Sequence, residues 1–340
     1  MTPLPLNDLF KIAPGPVPLL LFVRVALAVG VPLVGFTLAG QPLAAVAGGA
    51  TAMFVNLCDV GSTRRGRVGT MLLGLLAIVV GGVVGDRFGG SGGVDELLVI
   101  ASAFVAAWVS NSQPGLATAA RFGAVATAAG VGMQITNPLA VGAIVAGGLW
   151  AIGVGLAIGW LAGLPAGQDD MDWRAGLRRA LSGADAGPRF AVCAALAAAA
   201  ALFAADSLGI SSPYWATLTV IMVMRREGMV SLKLTLQYLA GTLLGIPLAA
   251  GLWQVAGSQL LIALLATAAA AGGRLGMAVN PSLGFASMTI FMVLASDLVR
   301  HDIDGPAPLV AARLYDVGLG GALALVGTML AGAWHRSVRH

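Results

Sequence analysis

The sequence predicts an all-α, polytopic membrane protein of about twelve transmembrane helices in two parallel six-helix repeats. Three observations predict it. First, the 340 residues are 58% hydrophobic and only 10% charged, whereas a soluble domain carries about 25% charged residues. Second, apolar runs recur along the chain, and many approach the ~20 residues that cross about 30 Å of hydrocarbon. They do not show the alternation over about 10 residues that marks a transmembrane barrel. Third, landmarks recur at a spacing of about 170 residues: Gly15-Pro16 with Gly187-Pro188, Pro42 with Pro213, Gly69-Thr70 with Gly241-Thr242, Gln113-Pro114 with Asn280-Pro281, and Pro138 with Pro308.

Twelve spans are expected: 17–38, 42–58, 67–86, 94–110, 114–134, 138–163, 190–208, 213–224, 232–255, 258–273, 281–298 and 308–334. The 48 glycines suit helices whose backbones approach closely in lipid. Gly241-Thr242-Leu243-Leu244-Gly245 has the small-xxx-small spacing that permits this approach. The spans at 42–58 and 213–224 are short. A half-length helix in a membrane needs its ends satisfied by protein or water, which makes both candidates for lining a cavity. Pro213-Tyr214-Trp215 opens the second of them, with proline suited to a first turn and the aromatics to a membrane interface. Residues 1–16 hold four prolines and a lone lysine. They lack the charged region preceding an apolar one that marks a cleavable signal, so the first span is expected to be retained as an anchor. The domain layout is then an N-terminal cytoplasmic segment (1–16), a first repeat (17–163), a linker (164–188) and a second repeat (189–335). The linker is charged, too short for a domain, and expected to form a surface helix or loop on the inner face.

Charge sets the orientation. With the N-terminus inside, sixteen of the 19 Lys and Arg residues fall on the inner side, leaving Arg87, Arg300 and Arg313 outside. This follows the positive-inside rule and predicts cytoplasmic N- and C-termini in the inner membrane. Outer loops lean acidic, with Asp86, Asp95, Glu96, Asp206, Asp297, Asp302 and Asp304. The net charge of +4 sits in short loops, so it is no sign of nucleic-acid binding. Cys58 and Cys193 form no metal-ligand or redox spacing and read as buried thiols.

No GxxxxGK[ST] or HExxH pattern occurs. His301, His335 and His340 lie in outer or terminal segments. The chain therefore does not read as an enzyme, and nothing in it asks for a cofactor or metal. Intramembrane charge is the better signal, because such residues are costly and usually face the bundle interior. Asp316 lies about 12 Å into its span from Pro308, with Arg313 three residues earlier on the same face, where the two can pair. That pair is either a proton-coupling carboxylate beside an anion-attracting guanidinium or a structural lock between helices.

Arg121, about 10 Å beyond Pro114, and Arg24 either snorkel to the inner surface or attract a carboxylate, which a guanidinium fork suits. Arg64, Arg65 and Arg67, with Arg225, Arg226 and Lys233, form two basic hairpins. These are a topology signal or a funnel for anions at a pore mouth. Tyr214 and Trp215 are interface anchors or a stacking platform for an aromatic ring. Trp108 and Trp150 read as packing residues. Asn111, Gln113, Asn137 and Asn280 stand beside prolines, as loop turns or as breaks exposing backbone to a cavity.

The order Pro213-Tyr214-Trp215, a charged turn, Gly241-Thr242-x-x-Gly245, then Arg313-x-x-Asp316-x-x-x-Gly320 resembles the fusaric acid resistance protein-like family. The aromatic acid exporters belong to that family, and the plant aluminium-activated malate transporters are similar over the six-helix unit. The resemblance runs over about 15–335 and is clearest in the second half. It implies a paired six-helix unit that exports organic acids, often aromatic carboxylates. Two departures stand out. The large cytoplasmic domain that many members carry is missing from the linker, and Tyr238 replaces a basic residue three positions before Gly241.

The expected function is an exporter of organic, often aromatic, carboxylic acids driven by an ion gradient. Arg121, Tyr214, Trp215 and Arg313 would meet the substrate, and Asp316 would carry the coupling proton. The alternatives are a passive organic-anion channel and a non-transporting membrane scaffold. The expected partners are the lipid bilayer and a small organic anion, with a second copy of the chain or a periplasmic protein as further candidates.

Overall fold

The computed structural model describes residues 11–12, 19–110, 112–133, 137–165, 173–182, 187–210, 213–300 and 307–337. Asn111, His301, His340 and the first and last residues of the chain lie outside this set, as do the side chains of Arg174, Arg300, Pro308 and His335.

Proline and small polar residues set where the helices begin. Pro42, Pro114, Pro138 and Pro281 open α2 (Pro42–Leu57), α5 (Pro114–Met133), α6 (Pro138–Leu161) and α12 (Pro281–Arg300), where a missing N–H costs nothing. Side-chain caps satisfy other first turns. Thr63 accepts from the Gly66 N–H at 3.2 Å, opening α3 (Arg64–Phe88). Ser258 accepts from Leu261 N–H at 3.2 Å, opening α11 (Gln259–Val279). Asn137 and Asn280 do the same for α6 and α12, accepting from Leu139 and Ser282 at 2.9 Å and 2.8 Å. The remaining helices are α1 (Leu19–Leu38), α4 (Val94–Trp108), α7 (Trp173–Leu181), α8 (Gly187–Ser207), α9 (Tyr214–Val223), α10 (Gly228–Val255) and α13 (Ala307–Ser337).

Twelve of these helices stand where apolar spans are expected, and the linker contributes α7. Three boundaries need correction. The helix expected at 67–86 starts at Arg64, because the Thr63 cap pulls Arg64, Arg65 and Arg67 into its first turn. The one expected at 232–255 starts at Gly228, so Lys233 is helical. The one expected at 258–273 runs to Val279 through Gly272-Gly273. There α11 presses on α12, with Gly276 against the Gly284 backbone. Arg274 therefore sits inside a helix and not in a loop.

Eight helices among the described residues are long and apolar enough to cross a membrane: α1, α3, α6, α8, α10, α11, α12 and α13. Among the described residues the fold is all helical. Leu20, Val23, Leu27 and Val31 on α1, and Leu72, Leu76, Val80 and Val83 on α3, are exposed at helical spacing. Apolar stripes of this kind contact lipid.

Packing follows a regular scheme. Among α1–α6, α3 lies along α5, α2 along α6, and α1 touches both α2 and α6. Among α8–α13, α10 lies along α12, α9 along α13, and α8 touches both α9 and α13. The two sets meet through α1 with α11, α4 with α8, α5 with α9 and α2 with α12.

Candidate functional site

The half-length helix α9 is held at both ends by side chains. Where it finishes, Ser231 of α10 accepts from the Arg225 N–H at 2.6 Å, and its hydroxyl lies 3.1 Å from that of Thr328 on α13. Along its length, Thr217 donates to the Ala198 carbonyl of α8 at 3.1 Å. Gly320 of α13 packs against the Ala216 carbonyl and lies 2.7 Å, measured from a Cβ placed on it, from Thr219 Cβ. No larger residue allows that approach. Where α9 begins, Tyr214 donates from its hydroxyl to the Asp95 carboxylate of α4 at 3.2 Å.

Trp215 opens a cluster with Arg313, Tyr238 and Asp316. The Arg313 guanidinium lies 5.0 Å from the Trp215 ring centre and 5.9 Å from that of Tyr238, within cation–π range. Its Nη2 donates to the Tyr238 hydroxyl at 2.8 Å, and Tyr238 packs edge-on against Phe285. Asp316 is buried, and its Oδ1 has no hydrogen-bond partner; Arg313 Nε also has none. The expected Arg313–Asp316 ion pair is not formed. Residues three apart share a helix face, but the guanidinium is drawn across to α10 and α9 by the tyrosine hydroxyl and the indole. Tyr238, noted in the sequence only as a departure, is thus the partner of Arg313.

The remaining basic residues divide between the α2–α3 turn and the surroundings of the turn after α9. Arg24 is only 3% exposed and, with Arg67, pairs with Asp59 in the turn between α2 and α3. Arg24 is thus held inside the bundle by Asp59 instead of snorkelling to the surface, and Arg67 is tied to the same carboxylate. Sequence reasoning missed Asp59, although it was visible as an acid beside a basic run. Arg65 and Arg226 are exposed, while Arg64 and Lys233 are half-buried; the Arg64 backbone N–H reaches back to the Pro165 carbonyl at 2.9 Å.

Arg121 faces a crevice between α4, α5, α8 and α9, lined also by Ala107, Ser110, Phe190, Val220 and Met224. It has no carboxylate partner among the described residues. Arg225, in the turn after α9, is close enough to feel the Arg121 charge. Burial first, and then Arg121, lower the pKa of Arg225 to about 9, which still leaves it charged at neutral pH. Trp108 and Trp150 bond through their indole N–H to the carbonyls of Ala180 and Leu27, tying α4 to α7 and α6 to α1. Cys58 and Cys193 are buried and unbonded to each other.

Residues 197–327 match the family model of fusaric acid resistance protein-like proteins. This stretch is similar to fusaric acid resistance protein-like proteins. It contains Trp215, Tyr238, Arg313 and Asp316, together with the glycines of α10 and α13 that let their neighbours approach. No curated protein and no solved structure matches the chain. The eight long apolar helices found among the described residues make the chain a polytopic helical membrane protein, and part of it is similar to the fusaric acid resistance protein-like family.

Proposed function

We propose that the chain exports organic carboxylic acids, aromatic ones included, driven by an ion gradient. The observation that carries this reading is the pair of guanidiniums flanking α9. Arg121 faces the crevice where α9 ends, without a carboxylate partner, and Arg313 stands at its beginning against an indole and a phenol ring. Ten helical residues separate the ends by about 15 Å. A carboxylate attracted by Arg121 and Arg225 would next meet Arg313, where Trp215 and Tyr214 offer ring faces. Asp316, one turn further along α13, would exchange the coupling proton.

The same reading takes the helices as two parallel six-helix repeats, 17–163 and 189–335, with both termini cytoplasmic in the inner membrane. Supporting it, the packing of α3 on α5, α2 on α6, and α1 on α2 and α6 recurs as α10 on α12, α9 on α13, and α8 on α9 and α13, and the contacts of α1 with α11 and α2 with α12 are answered by those of α8 with α4 and α9 with α5. An axis along the membrane normal would produce that pattern.

Flux in proteoliposomes tests the proposal. A panel of aromatic and aliphatic carboxylates is loaded, and either a pH gradient or a potassium-diffusion potential is imposed. pH-driven flux that is lost in Arg313→Ala and Arg121→Ala supports the exporter. Flux that follows voltage alone makes the chain a channel, and no flux under any condition makes it a scaffold. Asp316→Asn should abolish gradient-driven transport while leaving substrate binding; unchanged transport would remove the coupling role.

A further inference from the structure

The linker helix α7 takes no part in the site around α9. Its sequence, WRAGLRRAL, holds three arginines and no acid. One side of it is seated on protein. A Cβ on Gly176 would stand 2.9 Å from Gln113 Cβ, in the turn before α5, and the Ala180 carbonyl accepts from the Trp108 indole N–H at the end of α4. Gly176 and Ala180 are buried, whereas Leu177, Arg178, Arg179 and Leu181 are exposed. The four linker aspartates, Asp169, Asp170, Asp172 and Asp185, all fall outside α7, so the helix itself presents positive charge.

The surroundings of α7 mark a membrane boundary. It follows α6 and precedes α8, both long and apolar enough to span. Trp160 is exposed at the end of α6, and Trp334 near the end of α13. Arg189, in the first turn of α8, lies 5.9 Å from the Trp334 ring centre, which brings the start of α8 to the end of α13. Exposed tryptophans at the ends of apolar helices mark the headgroup level of a bilayer. Each helical residue advances about 100°. Leu177 and Leu181 therefore share one flank of the seated Gly176–Ala180 side. Arg178 falls on the side facing away from the protein, and Arg179 on the flank opposite the leucines. With the leucine flank turned to the bilayer, Arg178 stands at headgroup height and Arg179 faces water.

We propose that α7 lies in the membrane interface, with Leu177 and Leu181 against the acyl chains, and that Arg178 binds the phosphate of an anionic phospholipid. An amphipathic helix with a basic polar face is suited to this position, and a basic residue beside the membrane is attracted to anionic lipid. A guanidinium fork matches a phosphate in geometry as well as in charge. The proposal needs only the membrane-spanning fold and stands apart from what the chain transports.

Fluorescence quenching in nanodiscs tests it. The full-length chain carries a bimane on Ser182→Cys, in the exposed turn that ends α7; the native thiols Cys58 and Cys193 are buried. The discs are phosphatidylcholine doped with phosphatidylglycerol or phosphatidylcholine bearing a nitroxide just below the headgroup, at equal mole fraction. Both lipids should quench, and the local preference for phosphatidylglycerol should be about fivefold, the size of one arginine's attraction. Arg178→Gln should bring the ratio to about one, and Arg179→Gln should leave it unchanged. Arg178→Lys, which keeps the charge, should keep most of the preference. Replacing Leu177 and Leu181 together by alanine should reduce quenching by both lipids alike. Quenching by neither lipid in the otherwise unaltered chain would overturn the interfacial position. Equal quenching by both lipids there would overturn the anionic preference. Equal loss in Arg178→Gln and Arg179→Gln, or complete loss in Arg178→Lys, would overturn the role given to the Arg178 charge.

Discussion

Asp59 shows what a single residue decides in this chain. Its carboxylate is shared by Arg24, buried on α1, and Arg67, whose side chain is 24% exposed. Removing one member of a buried pair leaves an uncompensated charge and costs about 3–5 kcal/mol. Asp59→Asn should therefore melt well below wild type in a detergent thermal-shift assay. Arg67→Met should cost much less, because water screens a partly exposed pair. Equal shifts for the two variants would mean that Arg24 does not depend on Asp59. The Arg24 half of this pairing was not legible in the sequence. Arg24 stands 35 residues from Asp59, and their meeting depends on how α1 packs against α2. The same limit applies to Arg313. Helical spacing offers Asp316 as its partner, yet Tyr238, 75 residues away, takes the hydrogen bond. If the guanidinium acts through its planar faces, Arg313→Lys should lower carboxylate flux at least about tenfold. Tyr238→Phe, which keeps the ring and loses one hydrogen bond, should lower it less. The ratio of the two initial rates in proteoliposomes checks this.

At the level of elements, the sequence was more readable. Hydrophobic run length, prolines at helix starts and capping residues are local signals, and they located twelve helices to within a few residues. The early start of α3 comes from the local Thr63 cap, and the late end of α11 from tertiary packing. α11 continues through Gly272-Gly273 because α12 lies close enough to make small residues favourable. The spacing of Gly241 and Gly245 correctly marked a close crossing. A Cβ on Gly241 would stand 2.5 Å from the Ser282 carbonyl oxygen, and one on Gly245 2.5 Å from that of Ala286. Both obstacles are backbone, which cannot rotate away. Gly251, on the same helix, meets nothing within 4 Å. Gly241→Ala should thus destabilise the protein and separate α10 from α12. Gly251→Ala should be neutral or stabilising by up to about 1 kcal/mol through helix propensity. Melting temperatures of the two variants, side by side, decide whether the crossing or the propensity dominates.

For the whole molecule, the question is whether the two sets of helices move against each other. The Arg121 crevice lies between them where α9 ends, and the Tyr214–Asp95 hydrogen bond joins them where α9 begins. Such a molecule has a narrow crevice between its two sets of helices at one end and a hydrogen-bonded tie at the other. A coupled exporter must reverse that arrangement in each cycle, whereas a channel need not. Replacing Asp95 and Tyr214 with cysteine and bridging them with a short bifunctional thiosulfonate makes the tie covalent. The native thiols Cys58 and Cys193 are buried and compete poorly for the reagent. Under the exporter reading, the bridged protein should still bind carboxylate at Arg121 but carry none across the membrane. Reductant should restore flux to the level of the unbridged variant. Flux that persists through the bridged protein would show that anions pass without relative motion of the halves. It would turn the same arginines into the lining of a passive pore.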